Sequence, residues 1–291
     1  MSGQDFGRVA VVGAGTMGNG IAQVCAAAGC EVTVCDVADA SLAKGRRAVE
    51  ASLARLVSKA RLTSEAREGV LGRITWGTGL AEAVAGADLV VEAVPERMDL
   101  KIATFRAIDA AAPEGALLGT NTSSLSVTEI AGAVRDPSRV VGLHFFNPVP
   151  VMELLEVVRG MRTGDAAVER ARALAGRIGK TAIVVRDFPG FATSRLGVAL
   201  GAEAIRMLES GVASAEDIDR AMELGYRHPM GPLKLTDLVG LDVRLAILEH
   251  LHREVGEQFR PPALLRQMVR AGKLGKKSGE GFYTWPDEPA R

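Results

Sequence analysis

The feature that most constrains this chain is Gly13-Ala14-Gly15-Thr16-Met17-Gly18, which follows the apolar run Arg8–Val12 and opens a helical stretch around Ile21–Ala28. Strand, glycine-rich turn and helix in that order are the setting in which a G-x-G-x-x-G pattern acquires meaning. Gly13 permits the tight turn, Gly15 lets backbone approach a diphosphate, and Gly18 allows close helix–strand packing. The helix start adds N–H groups and a partial positive charge. Asp36 follows the second apolar run, Glu31–Cys35, 18 residues after Gly18. A carboxylate there suits a ribose 2′-hydroxyl and repels a 2′-phosphate. No Arg follows in Val37-Ala38-Asp39, so the pattern predicts NAD rather than NADP.

Further strand candidates are Ala87–Ala93, Ala116–Thr120, Arg139–His144, Leu154–Val158 and Thr181–Val185, with helical segments Ala40–Lys59, Leu100–Ala111 and Ala166–Ile178 between them. This alternation predicts an α/β, Rossmann-like, doubly wound and mostly parallel sheet over residues 1–186. Beyond Phe188-Pro189-Gly190 the periodicity turns helical over Thr193–Glu209, Ala215–Glu223, Thr236–Val255 and Pro262–Ala271, so residues 187–291 read as an all-helical second domain. Lys+Arg and Asp+Glu both total 35, which argues against a nucleic-acid protein working through bulk positive charge. No apolar run approaches the roughly 18–20 residues of a spanning helix, and the start MSGQDFGRVA lacks a signal-peptide pattern. The expectation is a cytoplasmic protein with no membrane partner. Cys25, Cys30 and Cys35 match no zinc spacing and read as reduced packing residues; no metal is expected.

Ligands of open α/β sheets sit beyond the carboxyl ends of the strands. Three polar clusters fall there: Val94-Pro95-Glu96, Asn121-Thr122-Ser123-Ser124 and His144-Phe145-Phe146-Asn147-Pro148. His144 is the acid–base candidate, because a carbinol–carbonyl redox reaction moves one proton with each hydride and imidazole titrates near neutrality. Glu156 interrupts the apolar run Leu154–Val158. A carboxylate buried there needs a partner, and His144 would supply one; an edge strand turning Glu156 to solvent is the alternative. His228, His250 and His252 show no metal-ligand spacing and read as structural or surface residues.

Together, GAGTMGNGIA at Gly13–Ala22, DLVVEAVPE at Asp88–Glu96, NTSSL at Asn121–Leu125, HFFNPVPVM at His144–Met152, PGF at Pro189–Phe191, HPMGP at His228–Pro232, DLVGLD at Asp237–Asp242 and GKKSGEGFY at Gly275–Tyr283 resemble the L-3-hydroxyacyl-CoA dehydrogenase family. The likeness is greatest to its 3-hydroxybutyryl-CoA type. It implies reversible, NAD-dependent oxidation of an (S)-3-hydroxyacyl-CoA to the 3-oxoacyl-CoA, with His144 as general base and Glu156 as its partner. Ser123 and Asn147 are implied to touch substrate and cofactor. Glu96, Lys101 and a lysine of Lys276-Lys277, taken as Lys277, are implied to contact NAD alongside Gly13, Ala14, Gly15, Thr16, Met17, Gly18 and Asp36. Where the family has Asn before an Arg after PGF, this chain has Ser194, whose reach toward substrate is shorter.

Leu42, Val49, Leu53 and Leu56 form an apolar stripe on Ala40–Lys59, whose other faces hold Lys44, Arg46, Arg47, Arg55 and Lys59 against the single acid Glu50. Ser52 and Lys59 match the family's coenzyme A contacts, so this flank is the expected acyl-CoA phosphate site. A hydroxyacid or sugar-acid dehydrogenase of the gulonate type would not need those cations. A non-catalytic, crystallin-like NAD-binding protein would not need a His–Glu pair. The family's dimers imply a homodimer through the C-terminal domain.

Overall fold

The structure is a computed structural model that describes residues 6–286; the first residues of the segment read for a leader lie outside the described residues. The chain divides into two compact units, Met1–Phe188 and Pro189–Arg291.

The first unit runs β1 (Arg8–Val12), α1 (Thr16–Ala27), β2 (Glu31–Cys35), α2 (Asp39–Ser58), α3 (Ser64–Gly72), β3 (Ile74–Gly77), α4 (Leu80–Val84), β4 (Leu89–Glu92), α5 (Met98–Ala111), β5 (Leu117–Thr120), α6 (Val127–Ala131), β6 (Val140–Phe145), β7 (Leu154–Arg159), α7 (Asp165–Arg177) and β8 (Thr181–Arg186). The eight strands form one sheet in the order β3-β2-β1-β4-β5-β6-β7-β8. Every neighbouring pair is parallel except β6 and β7, which run antiparallel. Strands β4, β5 and β6 are buried at every residue. That explains their near-continuous apolar sequences, since helices cover both faces of a parallel sheet. The order reverses on either side of β1, so the crevice at the carboxyl ends of β1 and β4 is the switch point.

Strand β3 and the short helices α3, α4 and α6 have no counterpart among the spans expected from the sequence. Strand β3 (Ile-Thr-Trp-Gly) has only its first residue buried, and four residues at the sheet's edge give too short an apolar run to register. In α2, Gly45 shares the buried face with Leu42, Val49 and Leu53 because a Cβ there would lie 2.6 Å from the Ala14 carbonyl oxygen. The glycine brings this helix close to the nucleotide loop. All three cysteines are free and buried, and burial pushes the Cys35 thiol up to about 11.

The second unit contains α8 (Thr193–Glu209), α9 (Ala215–Gly225), α10 (Pro232–Val239), α11 (Leu241–Glu254) and α12 (Ala263–Arg270). The helix expected over Thr236–Val255 is two helices, broken at Gly240, whose φ of 103° a side-chain-bearing residue rarely adopts. Val198, Ile205, Ile218, Leu233, Leu248 and Leu265 belong to its core. Two buried aspartates tie down the following segment. Asp237 accepts from the backbone N–H of Phe282 and Tyr283 and from Trp285 Nε1, and Asp219 accepts from the Tyr283 hydroxyl and from the N–H of Leu233 and Lys234. Among the described residues no helix is long and apolar enough to cross a membrane.

Candidate active site

The turn after β1 is built for close approach. Gly13 has φ 105°, and a Cβ on it would sit 2.7 Å from the Ala93 carbonyl oxygen. A Cβ on Gly18 would lie 1.8 Å from the Gly13 oxygen, whereas a Cβ on Gly15 would meet nothing within 4 Å. Gly15 is therefore the open point of the loop, at the start of a helix with no side-chain cap. Asp36 accepts from the Ala14 N–H at 2.8 Å and the Ala38 N–H at 3.3 Å, which orients its carboxylate beside the loop. Open backbone donors and an adjacent, anchored carboxylate fit the diphosphate and ribose of a dinucleotide.

At the ends of β4 and β5 lies an ionic network in which Glu96 and Lys101, both named from the sequence, join Glu92, which sequence reasoning missed. Glu92 and Lys101 have no exposed side-chain surface, and Lys101 Nζ donates to Glu92 Oε1 at 2.8 Å. Glu92 also accepts from Val94 N–H and Thr120 Oγ1, both at 2.7 Å. Lys101, expected at the cofactor, is thus wholly buried, with Glu96 Oε2 at 3.4 Å as its second carboxylate. Glu96 Oε1 takes the hydroxyl of Thr122 at 2.7 Å, the N–H and hydroxyl of Ser123 at 2.8 and 3.1 Å, and the N–H of Ser124 at 3.1 Å. Burial pushes the Glu96 carboxyl up, but the charge of Lys101 and the bonds from Thr122 and Ser123 outweigh it and hold the group below the usual range. The missed signal was an acid inside the apolar run of β4, the same kind that drew attention to Glu156.

His144 and Glu156 are direct cross-strand partners in the β6/β7 register. Nδ1 of His144 lies 2.6 Å from Glu156 Oε2, with both side chains buried. The solvent-facing alternative for Glu156 is therefore wrong, because β8 covers the far edge of β7. A carboxylate only accepts, so the proton of this bond belongs to Nδ1 and exchange with a substrate falls to Nε2. The Phe146 ring lies 4.5 Å from the imidazole, centroid to centroid. Asn147 precedes a cis proline, Pro148. Lys180, which the sequence did not single out, donates to the carbonyls of Val149 and Met152 at 2.7 and 2.6 Å and so fastens the segment that carries Asn147. Asp187 fastens the other loop by accepting from the Ser126 hydroxyl at 2.8 Å and Thr128 N–H at 2.7 Å.

The remaining candidates belong to α2 and to the second unit. On α2, Ser52 is half-buried while Lys44, Arg46, Arg47, Arg55 and Lys59 are exposed; Arg46 pairs with Glu50. In the second unit, Ser194 lies in the first turn of α8, and Lys277 Nζ binds both oxygens of Asp242 at 2.5 and 2.6 Å.

A Rossmann sheet with a dinucleotide turn at its switch point, and a buried His–Glu pair at the end of a nearby strand, defines an NAD-dependent oxidoreductase. Known proteins narrow this. Residues 8–188 match the model of the 3-hydroxyacyl-CoA dehydrogenase NAD binding domain, and residues 190–285 match that family's C-terminal domain. The chain belongs to the 3-hydroxyacyl-CoA dehydrogenase family. It is similar to a probable 3-hydroxybutyryl-CoA dehydrogenase of Bacillus subtilis, 45% identical over 97% of this chain and 98% of the relative. A 3-hydroxybutyryl-CoA dehydrogenase of Mycobacterium tuberculosis is 46% identical over 96% of this chain and 98% of its own length. Among solved structures, (S)-3-hydroxybutyryl-CoA dehydrogenase from Ralstonia eutropha superposes with a TM-score of 0.93 at 43% identity, covering 97% of this chain and 100% of that one.

Proposed function

We propose that this enzyme reversibly oxidises a short-chain (S)-3-hydroxyacyl-CoA, of the 3-hydroxybutyryl-CoA type, to the 3-oxoacyl-CoA. The observation that carries the reading is the buried His144–Glu156 pair with a 2.6 Å contact. His144 Nε2 takes the proton of the substrate's 3-hydroxyl, and Glu156 stabilises the imidazolium that forms. NAD, when bound, supplies the acceptor for the hydride from C3. The backbone of Gly13–Gly18 and the carboxylate of Asp36 would hold it, with Glu96, Ser123 and Asn147 toward its reactive end. Ser123 and Asn147 orient the reactants; holding two reactants in near-attack geometry can lower a barrier by up to roughly 7–11 kcal/mol.

The cationic flank of α2, with Ser52 and Lys59, binds the phosphates of coenzyme A, which separates this reading from a free hydroxyacid dehydrogenase. In the helical unit, Ser194 is the proposed substrate contact and Lys277 the proposed cofactor contact. That unit also leaves Leu196, Leu200, Leu235, Leu238, Val239 and Val243 exposed on α8, α10 and α11, apolar surface that supports a homodimer through this domain. The enzyme works in the cytoplasm. Following NADH loss with acetoacetyl-CoA and then with a free 3-keto acid tests the reading. Turnover with the thioester alone supports it, equal turnover with both favours the free-acid dehydrogenase, and none with either overturns an enzymatic role.

A further inference from the structure

Glu92 takes no part in the proposed chemistry, yet it is a fully buried carboxylate at the carboxyl end of β4, where it is register partner to Thr120 on β5. Two carboxylates compete there for one ammonium. Lys101 Nζ lies 2.8 Å from Glu92 Oε1 and 3.4 Å from Glu96 Oε2. Glu92 has the shorter contact and is itself braced by the Thr120 hydroxyl and the Val94 N–H. Glu96 consequently keeps charge to spend on its other side, where one oxygen accepts four donors from Thr122, Ser123 and Ser124. Such charge-assisted bonds are roughly twice as strong as neutral ones and depend on where the carboxylate is held.

We propose that Glu92 is a positioning residue: by taking the shorter of the two carboxylate contacts of Lys101, it keeps the Glu96 carboxylate placed to fix the 122–124 loop that presents Ser123. Without the Glu92 charge, the buried ammonium turns to its one remaining carboxylate. Glu96 is drawn toward Lys101 and its grip on the loop amides slackens. The geometry stands on the structure alone; the consequence for turnover rests on the function proposed above.

The test is Glu92→Gln, which keeps shape and removes charge, with Thr120→Val as a milder variant that deletes one brace. Amide hydrogen exchange of Ser123 and Ser124, measured on the protein without cofactor, should quicken by about tenfold in Glu92→Gln and by less in Thr120→Val. NADH affinity, read by fluorescence titration, should fall by about tenfold, with a matching rise in KM for NADH and a smaller change in KM for acetoacetyl-CoA. Asp109→Asn serves as the control, because it breaks a buried ion pair elsewhere on α5; it should lower Tm without moving those two amides. The proposal is overturned if Glu92→Gln lowers Tm but leaves Ser123 and Ser124 exchange and NADH affinity at wild-type values. Should Glu92→Gln not fold, Thr120→Val decides by the same readouts. If wild-type protein reduces no 3-oxoacyl-CoA, the functional reading fails while the exchange and affinity measurements still judge Glu92.

Discussion

Replacing Glu156 by Gln is the perturbation that bears most directly on the chemistry. The carboxylate lies 2.6 Å from His144 Nδ1 in a setting where neither side chain is open to solvent. Gln preserves the volume and one acceptor oxygen but removes the charge that faces the imidazolium. Two unit charges about 4 Å apart at an effective dielectric constant near 20 interact by about 4 kcal/mol. At 1.36 kcal/mol per decade, full loss of that stabilisation is about a thousandfold in rate. If the amide nitrogen rather than its oxygen meets Nδ1, the wrong tautomer adds to the loss, and the corresponding change in a hydrolase triad costs about 10⁴. We expect kcat for acetoacetyl-CoA reduction to fall by about 10²- to 10⁴-fold, with NADH affinity changed by no more than about twofold. Steady-state NADH oxidation with a parallel fluorescence titration measures both. A folded variant whose kcat stays within about tenfold of wild type would refute the role of the pair.

Four further outcomes follow from the same geometry. His144→Gln should retain NADH binding and lose most turnover, and near-wild-type turnover would remove His144 from the mechanism. Lys59→Ala should raise KM for an acyl-CoA but not for the matching acyl-pantetheine; an equal rise for both would sink the phosphate contact. Burial pushes the Asp109 carboxyl up, but bonds from Arg135 and Arg139 prevail and hold it below the usual range, so its contribution is complete above an unfolded value of about 4 and is lost as pH falls through the lower folded value. In urea titrations Asp109→Asn should therefore cost about 3 kcal/mol from pH 7 down to about pH 5, and less below about pH 4; a gap that widens in acid would contradict this. Gly281→Ala would place a Cβ 2.2 Å from Asp237 Oδ1, so it should red-shift Trp285 emission and lower Tm, and an unchanged spectrum would show that the clamp tolerates a side chain.

Much of this architecture is legible in the sequence because a two-sided parallel sheet writes itself as apolar runs. Strands β1 and β2 lie where those runs stand, and β4 to β8 differ from the expected spans by only one or two residues at most ends. Strand β3 was invisible because an edge position asks little of its side chains. The break at Gly240 was hidden for another reason: apolar periodicity continues through it, and only the backbone angle reveals that one helix has become two. At the site, His144 and Glu156 could be paired on sequence grounds, since each is anomalous in an apolar strand. Glu92 is equally anomalous, but its partner Lys101 lies on a helix nine residues later, where the family resemblance assigns the lysine to the cofactor rather than to a buried carboxylate. Burial of that lysine is a tertiary fact, and no local pattern encodes it.

The antiparallel step between β6 and β7 carries one more implication. His144 and Glu156 meet only because the two strands pair in a single alignment, with Gly142 opposite Val158 and Phe145 opposite Leu155. A slip of one residue would turn the acid to the opposite side of the sheet, and a slip of two would set an apolar residue against the imidazole. Turnover is therefore a readout of strand registration: in a refolding experiment, recovered activity counts chains whose sheet has closed in the native alignment, whereas circular dichroism or compactness would also count those that closed one step out.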